Sequence, residues 1–391
     1  MNKVKLCVVT TTSITIRSFL LQQLEFLTNN GFDVTVICDE DEELRRELPK
    51  GIQYRSIRMK RGLDPFGALK NSYFLYRAFK EEKFDIVQYS TPNAALYASI
   101  ASYMAKIPVR LYCQWGIRYV GFKGIRRKLF KIVEKMICSL STSIQPDSLG
   151  NLTFSRQENL YTAEKSKVIG NGSANGVNLI RFDFSKRECW SGEIRRKYNL
   201  LEDEIIFGFT GRITKDKGIN ELLEAFQVIC KEFNNVKLLI VGPSENYGIN
   251  SSLYDWSQQS HSVIYCGYTD QVERYYAAMD VFVLPSYREG FGTVVIEAEA
   301  MGIPVIVSDI PGPTDAMVEG QTGMVVPKGE VEPLIEAMKK MLDTSLRKEM
   351  GNRAITFVSE SFEQKTHWQH ILNDRKQLVA ELENDKREVS L

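Results

Sequence analysis

Two acids and two bases, set in glycine-punctuated loops, are the residues of this 391-residue sequence best placed to do chemistry. The acids, Glu289 and Glu297, stand in V-F-V-L-P-S-Y-R-E-G-F-G-T-V-V-I-E-A-E-A, residues 281–300. The run predicts a strand ending at Pro285, a loop over Ser286–Gly292 and a helix from Thr293. Glu297 then lies about one turn into the helix, roughly 6 Å along its axis. Glycine lets a backbone come close to a ligand, and a helix start offers N–H groups to an anion. Gly290 and Gly292 stand around Phe291 in that loop, and the helix begins near Thr293. Two carboxylates so spaced could hold two hydroxyl-bearing parts of one extended ligand, such as a sugar and a ribose. The same spacing also suits a Glu297 that only caps or solvates a helix. The bases stand in Gly211-Arg212-Ile213-Thr214-Lys215-Asp216-Lys217-Gly218. Arg212 offers a bidentate fork and Lys217 a point charge, both suited to a diphosphate. Alone, that string reads equally well as a solvated turn.

The elements that must position these residues alternate between strand and helix. In the first half, strands are predicted at Lys5–Thr10, Asp33–Cys38, Asp85–Tyr89, Val109–Cys113 and Thr142–Gln145. Helices fit at Ile14–Asn29, Pro65–Lys80, Pro92–Ala105 and Gly124–Leu140. The glycine-rich loop Gly170–Gly176 and the polar stretch Ser185–Gly192 interrupt the rhythm, which restarts at Ile205–Thr210. A helix at Gly218–Glu232 follows, then strands at Val236–Val241, Val263–Cys266, Val281–Pro285 and Pro304–Ser308. The last thirty residues form one helical pattern, with Trp368, Ile371, Leu372, Leu378, Val379 and Leu382 on its apolar side. This alternation predicts an α/β protein of two doubly wound, parallel-sheet domains. The expected division is 1–185, 186–360 and a C-terminal helical segment at 361–391.

Composition narrows the class. With 43% apolar and 25% charged residues, the chain is an ordinary globular protein. No apolar run reaches the roughly 18 residues of a membrane span, and the N-terminus lacks a signal-peptide core. A cytoplasmic protein is expected. The seven cysteines are scattered without a C-x-x-C and read as small buried hydrophobes. The net charge of +1 hides an asymmetry. Residues 1–180 carry 26 Lys and Arg against 16 Asp and Glu, and the remainder 24 against 33. A basic first half beside an acidic second half points the first at something anionic.

Taken together, G-R-x-x-x-x-K-G, P-S-x-x-E-G-F-G-x-x-x-x-E-A and G-x-P-V-I-x-S-D resemble the nucleotide-sugar half of family 4 of the retaining glycosyltransferases. The resemblance covers about residues 205–330. The first half matches more loosely. T-T-T-S-I-T-I-R-S-F-L-L, K-F-D-I-V-Q-Y-S-T-P and G-N-G-S-A-N-G-V-N look like the branch that builds bacterial capsule, O-antigen and other lipid-linked glycans. The resemblance implies the GT-B fold, two Rossmann-like domains facing across a cleft, with a C-terminal helix crossing back to the first domain. It also implies that Gly211, Arg212 and Lys217 meet the donor diphosphate, that Glu289 holds donor-sugar hydroxyls, and that Glu297 holds the ribose. Arg212, Lys217 and Glu289 would be the catalytic set. The expected donor is a nucleotide sugar, UDP-linked. The expected acceptor is a polyprenyl-diphosphate-linked glycan, or in the nearest alternative a soluble one. No cofactor and no metal are expected, because Arg, Lys and a helix start can stabilise a leaving diphosphate.

Many members of that family carry a histidine in a V-H-G-like segment of the first half. Here Gln114 stands at that place, and residues 1–200 contain no histidine. A retaining front-face reaction tolerates the loss, whereas an inverting one would need a base such as Asp85, Asp147 or an acid of the Asp39–Glu43 run. That run contains a literal D-x-D, Asp39-Glu40-Asp41, which reads best as favourable charge opening a helix. Gly121–Leu140 is basic and amphipathic: Ile125, Leu129, Ile132, Val133, Met136 and Ile137 recur at helical spacing among Arg126, Arg127, Lys128, Lys131 and Lys135. Arg55, Arg58, Lys60 and Arg61 add a second basic loop. These residues, with Gln114, mark the expected acceptor and membrane side, lying peripherally on the anionic inner face of the cell membrane. An ordinary packed helix with a basic outer face is the competing reading. Nucleic-acid binding would require aromatics interleaved with the basic patch in a known module, and none is present. A sugar-nucleotide epimerase and a non-enzymatic ligand-binding protein are the more distant alternatives.

Overall fold

The computed structural model of the protein describes residues 3–59, 65–245 and 248–388. Lys60 and Arg61, and the side chain of Leu382, lie outside the described residues.

The chain forms two compact units, residues 1–175 with 365–391, and residues 176–364. Each is built on a parallel six-stranded sheet. The first contains β1 (Val4–Val9), β2 (Phe32–Cys38), β3 (Ile52–Ser56), β4 (Ile86–Tyr89), β5 (Val109–Gln114) and β6 (Ser143–Pro146), in the order β3-β2-β1-β4-β5-β6. The second contains β7 (Ile205–Thr210), β8 (Val236–Val241), β9 (Val263–Gly267), β10 (Val281–Leu284), β11 (Val305–Ser308) and β12 (Gly323–Val326). Its order is β12-β11-β10-β7-β8-β9, the same doubly wound topology read from the other edge. The inner strands, such as Val281–Leu284 and Val305–Ser308, are apolar and buried throughout, as helices on both faces require.

Edge strands β3 and β12 escape the sequence pattern. Ile-Gln-Tyr-Arg-Ser carries polar residues on a half-exposed edge, and Gly323–Val326 is four residues long. The polar stretch 185–192 is also not a linker. It enters the helix Arg187–Lys197, in which Ile194 is the buried residue, too little apolar surface to print a helical period.

The division between units lies at Asn175/Gly176, not at 185/186. Val177 donates its N–H to Phe362 and accepts from Gln364, at 2.8 and 3.0 Å, and Phe182 packs in the second core. Residues 176–185 therefore belong with the second sheet. The terminal helix Gln364–Glu388 belongs almost wholly to the first unit. Leu372 joins the core formed by Val8, Leu24 and Leu111, and the Arg375 guanidinium hydrogen-bonds Gln88 of β4 and Gln145 of β6. All seven cysteines are unpaired, and Cys7, Cys38, Cys113 and Cys138 are buried. Among the described residues no helix is long and apolar enough to cross a membrane.

Candidate functional site

In the second unit the loops after β7, β8, β10 and β11 are pressed together backbone to backbone. Gly218, at φ +73°, lies so close to the Pro285 carbonyl that a Cβ would sit 1.9 Å from its oxygen. Gly312, at φ +101°, stands in the same relation to the Gly290 carbonyl, at 2.0 Å. A side chain at either position would force these loops apart. The main chain adds a bond from Tyr287 N–H to the Asp216 carbonyl at 2.9 Å. Arg288 reaches the Asp216 carboxylate at 3.1 Å.

This packing brings Lys217 to Glu289. The ammonium donates to both carboxylate oxygens, at 2.6 and 2.8 Å, and Ser286 Oγ donates to Oε1 at 2.8 Å. Lys217 and Glu289 are partly buried, and Ser286 is fully buried. The pair is thus held in a little-hydrated loop cluster, where charge is felt more strongly than in water. Next to it, Gly292 at φ +85° starts the helix Thr293–Ala300 without a side-chain cap. The first-turn N–H groups have no side-chain acceptor there. The Phe291 side chain is buried against Phe362, ring centres 5.2 Å apart, so Phe291 can offer a ligand only its main chain.

Glu297 is partly buried on the same helix and accepts a hydrogen bond from Tyr276 Oη at 3.2 Å. Burial pushes its carboxyl up to about 7, against the pull of the Arg181 charge and the Tyr276 bond. Glu299, two residues on, lies fully inside the core, and burial pushes it well above the ordinary carboxylate range. Arg212 does not join Lys217. It pairs with Glu245 at 3.0 Å on an exposed flank. The sequence pattern thus finds the Lys217–Glu289 centre but misses Ser286 as its buried hydroxyl, Asp216 as its loop anchor and Glu245 as the Arg212 partner. Ser286 lies within the P-S-x-x-E-G motif, where its spacing of three from Glu289 was the available signal.

In the first unit Gln114 is placed differently from expectation. It is 0% exposed at the end of β5. Its amide nitrogen donates to Glu134 at 2.6 Å, and its oxygen accepts from Ser155 and Tyr161 at 3.2 and 3.0 Å. Tyr112 donates to the same Glu134 oxygen at 2.9 Å. Strand alternation explains this: Tyr112 and Gln114 face the helix Gly124–Leu140, while Cys113 faces the other core. Gln114 is therefore the hub of an interior network and not a surface contact.

The acids of the D-x-D are also committed elsewhere. Asp39 accepts the Ser13 N–H at 2.6 Å, and Asp41 caps the helix Glu42–Glu47 through Glu43 and Leu44 N–H at 2.8 and 3.1 Å. Of the five cations singled out on Gly124–Leu140, Arg126, Lys128 and Lys135 are exposed. Arg127 lies over the Tyr119 ring at 5.6 Å, and Lys131 pairs with Glu158 at 2.6 Å. Among the described residues, no group of three or more His, Cys, Asp or Glu is placed to hold a metal ion.

Comparison with known proteins supplies the frame for this geometry. The family model described as Glycosyl transferases group 1 matches residues 191–357, and that described as Glycosyl transferase 4-like matches residues 5–148. The capsular polysaccharide biosynthesis glycosyltransferase CapM of Staphylococcus aureus is 33% identical over 354 residues, 89% of this chain and 91% of that protein. The Escherichia coli UDP-Gal:alpha-D-GlcNAc-diphosphoundecaprenol alpha-1,3-galactosyltransferase is 25% identical over 336 residues, 83% of each chain. Among solved structures, HepE of Anabaena in complex with UDP and glucose has a TM-score of 0.77 at 17% identity, over 96% of this chain and all of that one, a likeness of fold. With both sheets matched by such models and one relative alike over nearly its whole length, the chain belongs to the group 1, family 4-like glycosyltransferases and has their GT-B fold.

Proposed function

We propose that this glycosyltransferase moves a sugar, with retention of anomeric configuration, from a UDP-linked donor to a polyprenyl-diphosphate-linked glycan during synthesis of a bacterial surface polysaccharide such as capsule or O-antigen. The observation that carries the reading is the Lys217–Glu289 pair, seated beside the uncapped start of the helix Thr293–Ala300. Glycosyl transfer builds negative charge on the leaving diphosphate. Lys217 and the helix start supply fixed positive potential for it, and Arg212 adds its charge on exchanging Glu245 for the diphosphate. Glu289 holds hydroxyls of the donor sugar, and Glu297 those of the ribose. Gly211, Gly290, Phe291, Gly292 and Thr293 line the donor with main chain. In the front-face step, the C1–O bond to the diphosphate breaks and the acceptor oxygen bonds to C1 on the same face. The acceptor proton passes to the departing phosphate oxygen, so no protein base and no metal is needed. The acceptor reading is supported by the E. coli relative, whose name specifies a diphosphoundecaprenol-linked acceptor. An acceptor of that kind places the enzyme peripherally on the inner face of the cell membrane.

A donor screen tests the proposal. Purified protein is offered UDP-, GDP- and dTDP-sugars with a synthetic polyprenyl-diphosphate-linked acceptor, in the presence of a chelator. The expected result is UDP release coupled to a product of retained configuration. An inverted product, acceptance of GDP- or dTDP-sugars only, or activity that appears only on adding Mg²⁺ or Mn²⁺ would overturn it.

A further inference from the structure

Near the carboxyl ends of β4, β5 and β6, the first unit holds a pocket of about 30 Å³ between its sheet and the terminal helix. That is room for about two water-sized groups. The strands contribute Gln88, Cys113 and Gln145, and the helix contributes His367, Ile371 and Arg375. Trp115, Ile169 and Ala174 are half-buried and give the pocket its rim. Open parallel sheets bind ligands at this end of their strands.

Much of the polar lining is already paired. Arg375 donates to Gln88 and Gln145, at 3.0 and 2.8 Å, and Gln23 donates to the Ala174 carbonyl at 3.1 Å. His367 differs. It is 3% exposed and bonds the main chain of Ser173, but its Nε2 has no hydrogen-bond partner among the described residues. The bonded nitrogen is therefore Nδ1, which donates its proton to the carbonyl and leaves a lone pair on Nε2. Burial, helped by His370 and Arg375, pushes the imidazole down to about 4, so it is neutral near pH 7. A buried acceptor without a donor costs free energy that a ligand with a donor group recovers.

The walls select that donor. A diphosphate has no proton for Nε2 and would meet the buried Asp147 on the same lining. A cation would meet the Arg375 guanidinium. A neutral hydroxyl gives its proton to Nε2 and can accept a bond in return. The volume admits a hydroxyl or a hydroxymethyl arm but not a whole sugar ring, and Trp115 offers an apolar surface at the rim for the ring's C–H face.

We propose that this pocket is a subsite for the acceptor sugar, in which His367 Nε2 accepts a hydrogen bond from one non-reacting hydroxyl while the ring rests against Trp115. The inference rests on the glycan acceptor proposed above, and it makes a residue of the terminal helix a determinant of which sugar is extended.

The test uses the full chain and two variants. His367→Asn sets an amide N–H where Nδ1–H stood, keeping the Ser173 bond and removing Nε2. His367→Gln can return an amide oxygen to the Nε2 position. Circular dichroism and urea midpoints establish that both fold. With undecaprenyl-diphosphate-linked N-acetylglucosamine as acceptor, the Asn variant should raise the acceptor KM at least about ten-fold, with kcat and donor KM unchanged, and the Gln variant should recover part of it. Among the 3-, 4- and 6-deoxy analogues, one that still reacts should lose a similar factor with wild type and nothing further with the Asn variant. A second readout needs no turnover. The chain has three histidines, so nitrogen-15 imidazole spectra assign the His367 Nε2 signal by its loss in the Asn variant. That signal should move on titration with at least one of the methyl glycosides of glucose, galactose and their 2-acetamido forms, and should not move with inorganic phosphate. A signal unmoved by every glycoside, one moved equally by phosphate, or an Asn variant with the wild-type acceptor KM would overturn the proposal and leave the pocket to water or an anion. If wild type extends no lipid-linked acceptor, the acceptor reading fails, and the titration alone decides whether the pocket binds sugar.

Discussion

Lys217 grips both carboxylate oxygens of Glu289, at 2.6 and 2.8 Å, although 72 residues separate them. Each is the other's principal charge partner, and the loops that carry them touch backbone to backbone at Gly218 and Pro285. A donor diphosphate would enter beside an ammonium that Glu289 already orients. Its sugar would meet a carboxylate that Lys217 and Ser286 already hold in place. On the proposed function this is preorganisation: the charged groups would need little rearrangement as the transition state forms.

Glu289→Gln and Lys217→Ala are each expected to lower kcat by at least about 100-fold, the scale of losing one preorganised polar contact to developing charge. Lys217→Arg should recover only part, since a planar fork replaces a compact ammonium. Steady-state kinetics with matched circular dichroism spectra check this. Near wild-type turnover in both of the first two variants would remove them from the catalytic site.

Glu297 gives a pH prediction with a definite sign. Its carboxyl is pushed up to about 7 by burial, from an ordinary value of 4.5. Between those values the folded protein keeps the proton and the unfolded chain releases it. Stability from this group is therefore complete at low pH and is lost as pH rises through about 7. Urea midpoints should fall less between about pH 5 and about pH 8 in Glu297→Gln than in wild type. If the ionised form accepts ribose hydroxyls, the donor KM of wild type should rise as pH falls through about 7, whereas the variant should be flat. Parallel pH profiles in the two proteins would deny Glu297 both roles.

Gln114 should behave as an interior residue. Gln114→Leu removes the 2.6 Å donor to Glu134 and strands the Ser155 and Tyr161 hydroxyls. A cost of about 1–3 kcal/mol in stability is expected, with turnover per folded molecule unchanged. A variant of normal stability with a changed donor KM would restore Gln114 to the site.

Gln114 also marks where the sequence could be read and where it could not. The motif stretches are legible as the loops that carry Lys217 and Glu289 because their glycines answer to the close approaches at Gly218 and Gly312, a backbone demand that leaves a clear trace. Inner strands were legible for a similar reason: burial on both faces forces unbroken apolar runs. Gln114 was misplaced because a polar residue at a strand end can face a ligand or an interior network, and only Glu134, twenty residues later, decides which. The helix Gly124–Leu140 was read with one apolar set because Val133 and Ile137 follow Ile132 and Met136 directly. Adjacent residues point a third of a turn apart or less, and the split into inner and outer faces appears only once the core is known. Arg212 likewise looked like a companion of Lys217 until Glu245, in another loop, took it.

The terminal helix supplies the last prediction. Arg375 is 2% exposed and bonds Gln88 and Gln145, while its neighbour Asp374 contacts it and also receives Lys167 at 2.7 Å. Burial works against the charge on Asp374, but Arg375 and Lys167 hold its carboxyl below the usual range. Arg375→Met keeps most of the apolar volume and takes the guanidinium away. Asp374 is then left in the interior with Gln145 and a half-exposed lysine, and the first unit should lose about 3–5 kcal/mol, the cost of breaking a buried pair. The double variant Arg375→Met/Asp374→Leu separates charge from packing. If the loss comes from the uncompensated carboxylate, the double variant should regain much of it, since replacing both partners removes the unpaired charge. Were the helix held mainly by Trp368, Ile371 and Leu372, the single variant would cost little. Urea unfolding followed by Trp fluorescence distinguishes these outcomes, because Trp368 packs against Phe26 in the first unit, ring centres 5.7 Å apart, and would report its release.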